Sequence, residues 1–194
     1  MAMALPGCAG ARYLCAMAHV IPVNYLEDIL PEYQGTPVGL LLEYHNLGRA
    51  LGSTTPQLLI GMCMDSRNSL RMPHDFAFVL RTAGANMRDN EFRISYAIAV
   101  GRVRTIVLIA HTDCGMTRLR ERREQFIAGL MEAAGWDKAR AVRHFEEAAP
   151  KFGIRDAVDF VLQESERLRG IYPRITVVPL LYRVEDDLLY QLRA

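Results

Sequence analysis

The chain has 194 residues, 51% of them apolar and 23% charged, with a formal net charge of +1. That length suits one domain able to bury its own core, and the near-neutral balance offers no basic track for nucleic acid or an anionic membrane surface. No apolar run approaches the roughly 18 residues that span a bilayer.

Residues 1–19 are Ala-rich, carry Cys8, Arg12 and Cys15, and lack the charged start and compact apolar stretch of a secretory signal. They read as a disordered segment ahead of a single domain over 20–194, and the protein reads as cytoplasmic. Residues 20–52 form an N-terminal arm that can pack on a partner subunit: a proline-containing stretch with a short helix near 25–30, then a helix over 38–51 closed by Gly52. Short apolar runs at 57–62, 76–81, 105–110 and 175–184 read as strands, with Pro179 pointing to an edge or a bulge in the last. A helix capped by Asn90 fills 90–100. Residues 117–170 are helical, in three pieces beginning at Thr117 and ending at a cap on Gly170. Strands alternating with helices make this an α/β protein with a mostly parallel central sheet flanked by helices.

Two motifs each follow a strand. Cys63-Met64-Asp65-Ser66-Arg67 comes after the apolar run at 57–62, and His111-Thr112-Asp113-Cys114 after that at 105–110. In a parallel sheet both emerge at the C-terminal edge, where open α/β folds place their ligand sites. Cys63, His111 and Cys114 then supply two thiolates and one imidazole. Three donors leave a tetrahedral Zn²⁺ one open position, as in catalytic sites. Each motif alone has a plain structural reading, a buried inert cysteine or a hydrogen-bonded histidine; their coincidence at neighbouring strand ends is what points to a metal. Cys8 and Cys15, with no matching spacing, read as free thiols.

Cys-x-Asp-x-Arg, with His-x-x-Cys beginning 48 residues after Cys63, resembles the signature of the β-class carbonic anhydrases. Arg81-Thr82-Ala83-Gly84 is similar to that family's Arg-Asn-Ala-Gly turn, and residues 180–192 to its closing strand and turn. His-Thr-Asp-Cys-Gly-Met resembles the short bacterial branch. The resemblance implies a β-carbonic anhydrase-like fold and a zinc lyase that hydrates CO₂ reversibly to bicarbonate through a zinc-bound hydroxide. In it Cys63, His111 and Cys114 hold the metal. Asp65 accepts a hydrogen bond from the nucleophile, and Arg67 pairs with Asp65 and keeps it off the zinc. Asp65 can also become the fourth ligand of a closed site at low pH, making activity rise with pH. Two thiolates weaken the metal as a Lewis acid, so its water should ionise above about pH 7. Asp65 has a helix-cap alternative and Arg67 a surface ion-pair alternative. Ser66, Gly84 and Gly115 are the weaker substrate-contact positions, Gly115 being equally readable as a tight turn.

Relatives of this shape include hydrolases of CS₂ and COS, which use the same attack on a linear electrophile, and a catalytically silent zinc scaffold is a third reading. The expected partners are CO₂ and bicarbonate and a second copy of the chain, as a homodimer or larger homo-oligomer. Thr82, Asp113 and Met116 depart from the usual family pattern. Gln34 and Gln57 stand by default for the glutamine that many members place near substrate. His45 and His144 read as structural, and His74 as a weak proton-shuttle candidate. Arg118, Arg120, Arg122 and Arg123, interleaved with Glu121 and Glu124, read as a solvated helix face.

Overall fold

The computed structural model describes residues 18–52 and 55–193. Cys8, Cys15 and all but two residues of the 1–19 segment lie outside the described residues. His19 already belongs to a strand, β1 (His19–Ile21).

Six strands form one sheet in the order β1-β6-β5-β4-β2-β3. Four are parallel: β2 (Leu58–Cys63), β3 (Ala77–Thr82), β4 (Thr105–His111) and β5 (Thr176–Arg183). β6 (Leu188–Arg193) runs antiparallel to β5, and β1 antiparallel to β6. The sequence reading anticipated the four parallel strands to within a residue or two and missed β1 and β6. Pro179 lies inside the sheet rather than at its edge. It pairs with Leu108 of β4, while the β6 ladder starts only at Leu180, so it stands one residue outside the antiparallel ladder. A residue without an N–H is tolerated there.

Strands β2, β4, β5 and β6 are buried on both faces because their side chains alternate between two helical layers. On one face Leu58, Ile60, Met62, Val107, Ile109 and Leu180 pack with Val38, Leu41 and Leu42 of α1 (Pro37–Leu47). On the other Leu59, Ile106, Leu108 and Val177 pack with Ile94 and Ala97 of α2 (Glu91–Ala99) and with Val161 and Leu168 of α5 (Ala157–Ile171). The apolar face of α1 is thus accounted for within the chain.

Local chemistry sets the helix ends. Thr36 caps α1, with Pro37 at its first position, and Gly48 at φ +65° ends it. Glycine enters the left-handed region without strain, so the helix stops there and not at Gly52. The helix expected from Thr117 begins only at Arg123: residues 115–118 make a 3₁₀ turn first, followed by α3 (Arg123–Ala134). Asp137 caps α4 (Lys138–Phe152), and Asp156 caps α5 by accepting from the N–H groups of Val158 and Asp159. α5 runs past Gly170, which caps nothing. At Asn90 the side chain makes no cap bond and instead accepts from Arg93 at 2.6 Å. No helix among the described residues is long and apolar enough to cross a membrane.

Candidate metal centre

β2 and β4 are neighbours at the middle of the sheet and run in the same direction. Their last residues are Cys63 and His111, so the two donors emerge side by side at the C-terminal edge. Three residues on, the chain turns back through Asp113 at φ +52°, and Cys114 leads into the 3₁₀ turn. Aspartate is one of the few side chains that enters the left-handed region at modest cost. The turn is tied down by Thr112, whose N–H donates to the carbonyl of Tyr182 and whose hydroxyl donates to Glu185 at 2.8 Å. The hydroxyl of Thr117 in turn donates to the carbonyl of Cys114 at 2.7 Å.

The donor atoms of Cys63, His111 and Cys114 lie within 4.8 Å of one another, and all three residues are buried. His111 Nδ1 donates to the carbonyl of Thr112 at 2.8 Å. That bond fixes the tautomer and leaves Nε2 as a lone-pair acceptor. Nε2 is buried and has no hydrogen-bond partner among the described residues. An orphaned imidazole nitrogen is expensive in a core unless something occupies its lone pair; two facing thiols and this nitrogen form the donor set that zinc prefers. The residues fit the metal.

The protons agree with that fit. The thiol of Cys63 is pulled down to about 4, chiefly because its sulfur accepts from Cys114, with His111 and the Gly84 N–H adding to the effect. Cys114 is pushed up because it keeps the proton the two sulfurs share. Burial disfavours the imidazolium of His111, but the Cys63 thiolate outweighs burial and raises it. Gly84, at φ +63°, turns its N–H toward Cys63 Sγ at 3.4 Å.

Asp65 and Arg67 lie on the loop after β2. Both carboxylate oxygens of Asp65 are turned to Arg67: Oδ1 accepts from Nε at 3.0 Å and Oδ2 from Nη2 at 2.8 Å. Oδ1 also accepts from the backbone N–H of Arg67. These bonds hold the Asp65 carboxyl down at about 2. Asp65 is not among the converging donors. Ser66 is exposed between the two, and Gly115 opens the 3₁₀ turn with a left-handed conformation absent.

The structure gives several residues named from the sequence a role the sequence did not show. Arg81 donates to the carbonyls of Cys63 at 3.1 Å and Asn68 at 2.8 Å, pinning the loop. Asp113 takes Arg67 Nη1 on one oxygen at 2.8 Å and pairs with Arg118 on the other. Arg118 is therefore part of the site's surroundings rather than of a solvated helix face. Thr82 has a buried hydroxyl without a partner, as does the amide of Asn68. A cleft of about 410 Å³ lies along residues 116–121 and 149–155, with Met116 and Ile154 in its wall beside Arg118, Arg120, Glu121 and Arg155; Met116 and Ile154 also pack on Cys63 and Cys114.

Other candidates fall away. Gln57 precedes β2, at the opposite end of that strand from Cys63, and Gln34 donates to the carbonyl of Ile29. His45 is fully buried with both ring nitrogens engaged. His144 stacks between Phe126 and Trp136 in the α3–α4 hairpin.

A mostly parallel, doubly covered sheet with two thiols and an imidazole converging at its strand ends defines an α/β protein with a mononuclear metal site. The family model described as carbonic anhydrase matches residues 58–169, a span that holds all three donors. The chain belongs to the carbonic anhydrase family and is a carbonic anhydrase-like lyase. Its fold is similar to that of β-carbonic anhydrase isoform I from Trichomonas vaginalis, at 19% identity and a TM-score of 0.58, covering 73% of this chain and 85% of that one. The carbonic anhydrase of Streptococcus mutans is similar at 22% identity and a TM-score of 0.55, over 76% and 89%. An apo form of carbon disulfide hydrolase is similar at 24% identity and a TM-score of 0.51, over 70% and 79%. Comparison with curated proteins yields no match.

Proposed function

We propose that this chain catalyses the reversible hydration of CO₂ to bicarbonate at a zinc held by Cys63 Sγ, His111 Nε2 and Cys114 Sγ. The observation that carries this is the buried, partnerless Nε2 of His111 converging with two thiols beside an Asp65 already committed to Arg67. Zinc bound there supplies the Lewis acidity that lets water act as a nucleophile near neutral pH.

The chain's own residues do the rest. Cys63 is a thiolate, stabilised chiefly by the Cys114 thiol and also by the Gly84 N–H, and Cys114 would give up its proton to join it as a ligand. Thr112 holds the imidazole of His111 in the tautomer that presents Nε2. An ionised carboxylate only accepts, so Asp65 takes the O–H of the attacking water and aims its lone pair at the carbon. Arg67 occupies both Asp65 oxygens and so keeps that carboxylate from becoming a fourth ligand. Met116 and Ile154 give the adjoining cleft an apolar wall that suits an uncharged linear substrate. Gly84 abuts Ile154 and Met116, and with Ser66 and Gly115 it is a weaker substrate-contact position in this reading.

In the same reading the protein works as a homodimer or larger homo-oligomer in the cytoplasm, without nucleic acid or membrane partners, and sits with the short bacterial branch. The likeness to a carbon disulfide hydrolase keeps CS₂ or COS as the second substrate class. The orientation of Asp65 toward Arg67 favours an open site over a silent scaffold. The test is stopped-flow CO₂ hydration at pH 6.5 and 8.5 on protein holding one zinc per chain. Fast turnover at the higher pH, lost in Asp65→Ala, is expected. No turnover with sulfide release from CS₂ would transfer the assignment to the second class, and neither activity would leave the scaffold.

A further inference from the structure

Asp65 and Arg67 both belong to the loop that follows Cys63, so their ion pair by itself ties that loop only to itself. Asp113 belongs to the other ligand-bearing loop, between His111 and Cys114. Its carboxylate Oδ2 accepts from Arg67 Nη1 at 2.8 Å and its carbonyl accepts from Arg67 Nη2 at 3.0 Å. The remaining oxygen, Oδ1, is taken by Arg118 from the 3₁₀ turn. Arg67 thereby uses four of its five N–H groups, two on Asp65 and two on Asp113. A guanidinium is planar and its donors have fixed directions, so filling both edges leaves it a single orientation.

We propose that Asp113 is a positioning residue: clamped by Arg118, it anchors Arg67 across the two loops and so holds Asp65 turned away from the metal position. This rests on the zinc-site reading above and deepens it. The left-handed backbone at Asp113, φ +52°, is part of the device, because it brings the carbonyl and the carboxylate of one residue to the same guanidinium. Without the carboxylate, Arg67 keeps only Asp65 and one carbonyl. The Asp65–Arg67 unit is then free to move with its own loop, and Asp65 reaches the position the substrate-activating water needs. Arg67 and Asp113 are each nearly half exposed, at 47% and 46% of their side-chain surface. An isolated pair so exposed holds little, and it is the second anchor on each partner that makes the orientation firm.

The experiment uses Co²⁺-substituted protein, checked for one metal per chain, titrated with azide and followed by the visible absorption of the cobalt. Azide perturbs the spectrum only where the fourth position is open. Asp113→Asn is the informative variant, since asparagine tolerates the left-handed backbone and keeps the shape, yet loses the charge and offers one acceptor oxygen where Arg67 and Arg118 now take two, its NH₂ facing one of the two guanidiniums. The wild type should bind azide. Asp113→Asn should bind it at least tenfold more weakly, and the double variant Asp113→Asn with Asp65→Ala should regain wild-type affinity. Unchanged azide binding in Asp113→Asn overturns the proposal. So does a loss that Asp65→Ala fails to restore, which would make Asp113 merely structural. So does a wild type that binds no azide, whose fourth position is already closed. CO₂ hydration by the zinc form of the wild type is measured beside these. Its absence would defeat the functional reading, while the azide series would still decide the role of Asp113.

Discussion

The guanidinium of Arg81, at the end of β3, reaches the carbonyl oxygen of Cys63 at 3.1 Å and with its other nitrogen the carbonyl of Asn68 at 2.8 Å. One side chain thus fixes both the exit of the ligand strand and the loop that carries Asp65 and Arg67. Replacing it with methionine keeps much of its apolar stem and removes every bond. Two charge-assisted hydrogen bonds vanish, and the expected loss is about 2–4 kcal/mol of unfolding free energy. Urea unfolding of the zinc-loaded protein measures it. Zinc affinity should fall about tenfold or more, as it does when supporting contacts of a metal site are removed.

Gly84→Ala tests the turn opposite Cys63. At φ +63° an added Cβ is strained, and it would stand 3.2 Å from Ile154 Cδ1. The expected cost is about 1–2 kcal/mol, read as a lower thermal midpoint. Because the same turn aims an N–H at Cys63 Sγ, zinc should also be lost more readily to a competing chelator.

Zinc uptake should release protons. Cys63 is already a thiolate near pH 7, held at about 4 chiefly by its bond from Cys114, whereas Cys114 retains the shared proton. That proton has to leave for both sulfurs to ligate, and any imidazolium on His111, whose value is raised, adds a fraction more. At least one proton per zinc should appear in weakly buffered indicator at pH 7, with affinity rising about tenfold per pH unit. Release of none would show that the two sulfurs do not share a proton.

His45 links pH to stability. Its Nδ1 accepts from the N–H of Arg71 and its Nε2–H donates to the carbonyl of Asp187, at 2.9 Å each, so the buried ring is neutral. Burial lowers its pKa below the ordinary histidine value. The unfolded chain therefore takes up a proton that the folded ring refuses, and stability is full above about pH 6.5 and declines as pH falls below it. The urea midpoint of zinc-loaded protein should drop between pH 7 and 5. His45→Gln should lower the midpoint at pH 7 and flatten that drop.

Much of the site was legible because its donors are short motifs at strand ends. A run of apolar residues bounded by turn signals marks a buried strand, and a parallel sheet sends every such strand end to one edge. That makes Cys63, His111 and Cys114 neighbours from the sequence pattern alone, although the first two lie 48 positions apart. The two antiparallel strands, β1 and β6, were not legible as strands in the hydrophobic pattern. β1 has only three residues, and β6 exists because residues 184–187 turn the chain back onto β5. The first is too short to stand out from a loop, and the second follows the last parallel strand too closely to be separated from it by pattern alone.

Sequence by itself determined the chemistry available: two thiols, an imidazole and an Asp-x-Arg pair, each placed by local pattern at the mouth of a sheet. Tertiary structure alone decided how those groups face one another. The tautomer of His111 follows from a carbonyl one residue away, but its empty Nε2 is meaningful only because the fold buries it. Asp113 and Arg118 looked like a departure from a family pattern and a solvated charge, and became partners of Arg67 only when two loops 46 residues apart were brought together. Local propensity acts over a few residues. The direction of a guanidinium between two carboxylates is fixed by long-range packing, which no short window of sequence contains.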